Sequence, residues 1–204
     1  MGAAAGPLNA ADAGRPGDRR RGGADVHPGV ARLAAAVPPP AGVRPRDRRR
    51  VESMLGTPLP ADCKQLVDLC GGGVFDDTVR LLEPGCANRH YDLLTRNANC
   101  PGELESLREA GEPRPAEPDE PGSRLVSWAV TGNGEYLVWL ARPGRRPDDW
   151  TVMVDEGRGP EWESHPLSCT GFLNAVLLTG DAESEAFYGM PFEQHGFRPS
   201  ADFL

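Results

Sequence analysis

The chain has 204 residues, a formal net charge of −8, and 39% hydrophobic residues. This length accommodates one domain of ordinary size together with an additional segment. The sequence contains no apolar run of about 18 residues, the length that a membrane span requires, and no apolar signal-peptide core near its start. We therefore predict a cytoplasmic protein without a transmembrane helix.

The first part of the chain differs in composition from the rest. Residues 1–42 are rich in Ala, Gly, Pro and Arg, and the prolines at 38–40 end any helix that begins near Val30. Such a segment buries too little surface to offset the entropy lost on ordering. We predict a disordered arm over 1–42 and a folded domain over 43–204. A basic arm that contacts nucleic acid, through the arginines at 19–21, is the alternative.

Charge is distributed unevenly along the chain. Residues 1–50 hold ten Arg and four Asp, which leaves 12 basic and 26 acidic residues in 51–204, a net charge of −14. This sign disfavours direct binding to nucleic acid. It favours a basic protein as the partner, through charge complementarity and electrostatic steering.

Two helices are predicted at the start of the domain. The first covers 45–55, and the second follows Pro60, which suits the first helical position. The second has one apolar face with i, i+3, i+4 and i+7 spacing, formed by Cys63, Leu66, Val67 and Cys70. Asp62 places negative charge in the first turn, where the helix dipole favours it, and Gly71 ends the helix.

Further elements follow in the order expected of an α+β domain. We predict a short strand over 79–82, one or two helices over 88–110, and a loop over 111–122. Strands over 125–130, 135–140, 150–154 and 161–164 then form a meander, whose first link contains the hairpin signal Asn133-Gly134. A last helix begins after Ser168 and ends at Gly180. The expected fold is a central, largely antiparallel sheet flanked by helices, with an irregular C-terminal tail.

Both faces of the central strands are apolar. Tyr136, Val138 and Leu140 alternate with Leu137 and Trp139. One face must cover the helices. The other is either covered as well or forms an aromatic binding surface.

The residues with reactive side chains do not form a catalytic pattern. Five cysteines, an odd number without a CxxC pair, favour buried free thiols over disulfides or a metal site. His165 and Cys169 have i, i+4 spacing, but Pro166 places them across a helix boundary, so a Cys–His hydrolase is a minor alternative. Gly71-Gly72-Gly73 lacks the Gly-Lys-Ser/Thr of a phosphate loop. We predict no catalytic, cofactor-binding or metal-binding residue.

Paired carboxylates are the remaining polar feature. They occur at Asp76-Asp77, Asp148-Asp149, Asp155-Glu156 and Glu161/Glu163. Such pairs can bind a divalent cation or act as acid and base. Adjacent carboxylates on loops are more often solvated surface. A partner-facing acidic patch is the functional interpretation that we retain.

Several motifs resemble a known family. The string Glu52-x-x-Leu55-Gly56-x-x-Leu59-Pro60-x-Asp62-x-Lys64, followed by Gly71-Gly72-Gly73, resembles the start of a SUKH-superfamily domain of the Smi/Knr type. Later motifs occur in the family's order, as Asn133-Gly134-Glu135-x-Leu137-x-Trp139, Pro147-Asp148-Asp149-Trp150-x-Val152 and the helix over 167–178. Glu135 replaces the usual Asp, and Cys63 replaces an aromatic residue. The resemblance covers 43–180.

The resemblance implies an α+β fold without known catalytic residues. Bacterial members of this family are typically immunity proteins that neutralise toxins, many of them nucleases or deaminases, and others are protein-binding regulators. We therefore predict an immunity protein that occludes a basic toxin, or alternatively a regulatory scaffold in cell-envelope or stress signalling. The predicted partner-binding residues are Asp76, Asp77, Glu135, Trp139, Asp148, Asp149 and Trp150. Core packing is the alternative for both tryptophans.

Overall fold

The computed structural model describes residues 1–2, 25–44, 46–109, 111, 120–157 and 162–203. The predictions for 3–24, which include the three consecutive arginines, lie outside the described residues. The same holds for Glu161 and for most of the charged loop over 111–122.

Within these ranges the chain forms helices and strands in an α+β arrangement. The helices are α1 Pro28–Ala36, α2 Arg48–Leu55, α3 Ala61–Cys70, α4 Leu93–Glu109 and α5 Cys169–Asn174. The strands are β1 Gly73–Phe75, β2 Val79–Leu81, β3 Arg124–Thr131, β4 Tyr136–Ala141, β5 Thr151–Asp155, β6 Trp162–His165 and β7 Phe197–Pro199. The predicted fold class is confirmed.

The strands described by the structure join in one antiparallel sheet, in the order β6-β5-β4-β3-β2-β1-β7. The predicted meander corresponds to β3 through β6. Sequence patterning missed β1, because its first residue is the last of three glycines that were interpreted only as a helix stop.

Helix signals in the sequence correspond closely to the helices of the structure. α3 buries its predicted apolar face, with Cys63 fully buried and Leu66 1% exposed. Gly71 follows α3 with a φ of +70°, which an L residue with a side chain rarely adopts. Ser168 caps α5 by accepting a hydrogen bond from the amide of Gly171 at 3.2 Å. One π-helical turn, Ala175–Thr179, extends α5 to Gly180.

Helices cover the two faces of the sheet differently. α1, α3 and α5 pack together over the main core, which contains the fully buried rings of Trp128 and Trp139. On the other face a second cluster consists of Val138, Leu140 and Met153, each at most 2% exposed. α4 lies on that second face, held by two hydrogen bonds of 2.8 Å between Asn97 and the backbone of Ser127. The second face is therefore covered and is not an aromatic binding surface.

The prediction of disorder over 1–42 is wrong for the helix α1. His27 caps the helix by accepting from the amide of Gly29 at 3.2 Å. Val30, Leu33 and Val37 are 2%, 1% and 1% exposed in the main core. Averaging composition over 42 residues hid this i, i+3, i+7 pattern, whose three side chains suffice to dock one short helix.

The C-terminal tail also corrects the prediction, because it is not irregular throughout. β7 pairs antiparallel with β1, so that Phe75 lies opposite Phe197. Their ring centroids are 4.6 Å apart. A short 3₁₀ helix, Ser200–Phe203, follows, and the amide of Ser200 donates to the carbonyl of Gly72 at 2.8 Å.

Asp62 links α3 to α5 through its buried carboxylate. Its Oδ2 accepts hydrogen bonds from the amide and the hydroxyl of Thr170, at 3.0 and 2.9 Å, and from Cys169 Sγ at 3.3 Å. Burial by itself raises the pKa of this carboxyl, but hydrogen bonds from Thr170, Ser168 and Cys169 outweigh burial and lower the pKa. Asp62 therefore does more than complement the dipole of its own helix.

Truncation of Leu33 tests the docking of α1. We expect Leu33→Ala to lower the free energy of unfolding by about 2–5 kcal/mol, because it removes a buried side chain and leaves a cavity. Arg32→Ala, at an exposed position in the same helix, should change it by at most about 0.5 kcal/mol. Urea unfolding of the wild type and both variants measures these changes. A Leu33→Ala variant as stable as the wild type would show that α1 is not docked.

Substitution of Asp62 tests whether its ionised carboxylate stabilises the fold. Because the folded state lowers the pKa of Asp62, the ionised carboxylate stabilises the fold above the pKa of about 3.9 that an unfolded Asp has. This contribution is lost as the pH falls through the lower folded pKa. We expect Asp62→Asn to cost about 1–3 kcal/mol at pH 7, with the difference from the wild type shrinking below pH ~4. Urea unfolding at several pH values measures it, and a pH-independent difference would contradict the assignment.

Candidate functional site

The turn between β1 and β2 has an unusual backbone. Asp76 and Asp77 have φ values of +48° and +53°, and the amide of Thr78 donates to the carbonyl of Phe75 at 2.9 Å. Two consecutive positive φ angles are typical of a type I′ hairpin turn, in which Asp is tolerated. The amide of Gly132 donates to the carbonyl of Thr78 at 3.1 Å, which ties this turn to the β3–β4 loop.

The C-terminal tail holds both aspartates of this turn. Asp76 accepts a hydrogen bond from the amide of Gly196 at 2.7 Å and another from His195 Nδ1 at 2.8 Å. Its side chain is only 1% exposed. Asp77 forms an ion pair with Arg198, whose Nε lies 2.8 Å from its Oδ1. We call this arrangement of Asp76 and Asp77 with His195 and Arg198 the clasped turn.

A cleft of about 780 Å³ lies against the clasped turn, and its walls include Thr78, Phe192 and Gln194. The contact of His195 Nδ1 with the buried Asp76 carboxylate fixes the orientation of the imidazole ring beside this cleft. The hydroxyl of Thr78 donates to the carbonyl of Asp76 at 2.9 Å, so its proton is already engaged. The arrangement can bind a ligand, but the described part of this cleft presents no activated nucleophile.

The second predicted aspartate pair lies at the other end of the sheet. β4 and β5 pair from Tyr136 opposite Asp155 to Leu140 opposite Thr151. The pair at 148–149 precedes Thr151, whereas the clasped turn lies beyond the Tyr136 end. The predicted acidic residues therefore do not form one patch.

Both aspartates of this second pair make contacts within the protein. Asp148 accepts a hydrogen bond from the amide of Ala61 at 2.6 Å, at the start of α3. Asp149 pairs with Arg146, at 3.3 Å between Oδ2 and Nε. The hydrogen bond from Arg146 lowers the pKa of the Asp149 carboxyl.

The remaining predicted partner-binding residues are buried. Trp139 is 0% exposed, Trp150 is 6% exposed and Glu135 is 8% exposed. The indole rings of the two tryptophans have centroids 6.0 Å apart in the main core. The structure thus corrects the assignment of both tryptophans to an interface, because their indoles are packed in the main core.

The Cys–His pair considered from the sequence does not form. His165 Nε2 lies 3.0 Å from Glu163 Oε2, whereas Cys169 Sγ contacts Asp62. Burial raises the pKa of Cys169, and it raises the pKa of Cys70 to about 12 and that of Cys100 to about 11. Thiols with raised pKa values carry little of the reactive thiolate at neutral pH.

No cluster of three or more His, Cys, Asp or Glu side chains in the described ranges has an arrangement suited to a metal ion. No helix in them combines the length and hydropathy that a membrane crossing needs.

Sequence reasoning overlooked an acidic and aromatic stretch before the clasped turn. Residues 181–194 contain four acidic residues and no Lys or Arg. Tyr188 is 92% exposed and Phe192 47% exposed. We call this stretch the acidic-aromatic segment. A charge count in a short window would have found it.

Comparison with known proteins identifies no relative of this chain. No protein-family model, curated protein or solved structure matches this chain. The resemblance to the SUKH superfamily therefore depends on the sequence motifs alone.

Neutralising each aspartate of the clasped turn tests which carboxylate fixes the C-terminal tail to the domain. Asparagine also tolerates a positive φ, so Asp76→Asn and Asp77→Asn leave the turn geometry accessible. We expect Asp76→Asn to accelerate amide hydrogen exchange at Gly196 and Phe197 by roughly tenfold, because a buried charged acceptor is lost. Asp77→Asn, which breaks only an exposed ion pair, should change exchange little. Equal exchange in both variants and the wild type would show that the Asp76 carboxylate does not hold the tail.

Proposed function

We propose that this chain is an immunity-type protein that neutralises a basic, nuclease-class toxin by binding to it and covering its surface. The SUKH-like motifs and the net charge of −14 over residues 51–204 support this proposal. A nuclease needs basic surface to hold its substrate, and an acidic inhibitor is complementary to that surface.

The exposure of the acidic-aromatic segment is the observation on which the proposal depends. Tyr188 and Phe192 are large apolar side chains in solvent, and aromatic residues are enriched among the anchors of protein interfaces. Four carboxylates surround them in sequence, and none forms an ion pair within the described residues: Asp181, Glu183, Glu185 and Glu193. This combination suits a basic protein better than the internally bonded aspartates predicted from the sequence.

The segment is held to the domain on both sides. Phe187 is 5% exposed, and its ring packs edge-on against Phe172 at 5.7 Å between centroids. The amide of Glu185 donates to Glu163 Oε1 at 2.8 Å. At its other end the clasped turn holds His195. A segment fixed in this way loses less conformational entropy when a partner binds.

Co-expression with the toxin domains encoded by neighbouring genes tests this function. We expect the wild-type chain to restore growth and to co-purify with one such toxin. Tyr188→Ala combined with Phe192→Ala should weaken that complex about tenfold or more, because it removes two exposed aromatic anchors. Affinity is measured by isothermal titration calorimetry.

Met54→Ala is the matched control, because Met54 is also a large exposed apolar residue, 62% exposed, but lies on α2. Its affinity should equal that of the wild type. Failure to restore growth with any neighbouring toxin would refute the immunity function. Wild-type affinity in the double variant would refute the binding surface. Neighbouring genes without any toxin would favour the regulatory alternative.

A further inference from the structure

A second cleft lies on the other side of the β1–β2 hairpin from the cleft at the clasped turn. Its charged lining residues are basic. It has a volume of about 320 Å³ and lies between the β3–β4 loop and α4. Four basic side chains line it: Arg80, Arg89, His90 and Arg96. None of the described residues that line it is Asp or Glu. We call it the basic cleft.

Three separate parts of the fold bring these side chains together. Arg80 projects from the exposed side of β2, where it lies opposite Val130 of β3. Arg89 and His90 are exposed in the segment before α4, and Arg96 lies on the second turn of α4. Residues from one strand, one loop and one helix thus converge on a single concave surface.

Arg96 is held firmly in the wall of the cleft. Its guanidinium carbon lies 4.3 Å from the centre of the Tyr136 ring, and its Nη2 lies 3.2 Å from Glu103 Oε2. The hydroxyl of Tyr136 donates to the same carboxylate at 2.8 Å. Glu103 compensates Arg96 and orients it, so this arginine is pre-organised.

Arg80 and Arg89 differ from Arg96, because neither forms an ion pair with a described carboxylate. Asp77, on the adjacent turn, is engaged by Arg198. The carboxylates that the structure describes thus leave two arginines of one cleft without an ion-pair partner. An anion bound in the cleft would compensate the charge of both arginines.

We propose that the basic cleft binds the phosphate group of a small phosphorylated molecule. A phosphate carries about −1.5 to −2 charges at pH 7 and offers three acceptor oxygens, which matches several converging arginines better than a single carboxylate does. The planar guanidinium group binds phosphate through paired hydrogen bonds. Polar side chains in the same walls, such as Thr95, Asn99 and Asn133, can hydrogen-bond the rest of the molecule. This site is independent of the proposed toxin surface.

Calorimetric titration of the full-length chain with inorganic pyrophosphate, at constant ionic strength, tests this proposal. We expect saturable binding with one site per chain. Arg80→Ala combined with Arg89→Ala should weaken binding about tenfold or more, because two charge-assisted contacts are lost. Arg142→Ala combined with Arg145→Ala removes the same charge from exposed positions beyond the far end of β4 and should leave affinity within about twofold.

Two further measurements keep the test decisive. Thermal unfolding should give the same midpoint for both double variants, because all four arginines are exposed. If the alanine variant does not fold, Arg80→Lys combined with Arg89→Lys keeps the charge and should still weaken binding, since lysine lacks the planar fork. Absence of saturable binding, or equal weakening in both alanine double variants, would overturn the proposal.

Discussion

The helical layer of this protein depends on one buried carboxylate, Asp62. A charge removed from water is costly unless its acceptor sites are filled. Here Oδ1 accepts the amide of Cys63 at 2.7 Å, while Oδ2 accepts the donors at the start of α5. α1 joins the same arrangement, because Asn174 of α5 donates to the carbonyl of Gly29 at 2.9 Å. Thr170 also approaches Gly29 so closely that an added Cβ would lie 2.4 Å from its hydroxyl. Three helices distant in sequence are thereby fixed relative to one another.

The C-terminal tail completes the sheet in a comparable way. β7 is short and contains Pro199, two properties that discourage the addition of a further strand at that edge. It brings His195 and Arg198 to a turn whose two aspartates both have positive φ. The backbone strain of that turn is small for Asp, and bonds from the tail offset it. The pairing of β7 with β1 also helps to hold the C-terminal end of the acidic-aromatic segment on the surface.

Local elements could be predicted from the sequence, whereas the site could not. The apolar face of α3, the cap at Ser168 and the hairpin at Asn133-Gly134 are encoded by neighbours within a few residues, where periodicity and turn chemistry apply. The contact between Asp76 and His195 spans 119 residues, and no local pattern specifies it. α1 was missed for a related reason. Its apolar spacing is regular, but whether a short helix forms depends on tertiary partners such as Asn174.

The two Asp-Asp pairs show why net charge alone does not locate a binding surface. In each pair the first aspartate bonds a backbone amide, of Gly196 for Asp76 and of Ala61 for Asp148. The second forms an exposed ion pair with an arginine, for Asp77 and for Asp149 alike. Both pairs therefore serve the fold or are already neutralised, although in the sequence they appear as concentrated negative charge. Charge free to attract a partner remains where no opposite charge lies nearby in space, and only the folded arrangement identifies those places. By that criterion the acidic-aromatic segment and the basic cleft are distinct sites of opposite sign, which suit ligands of opposite charge.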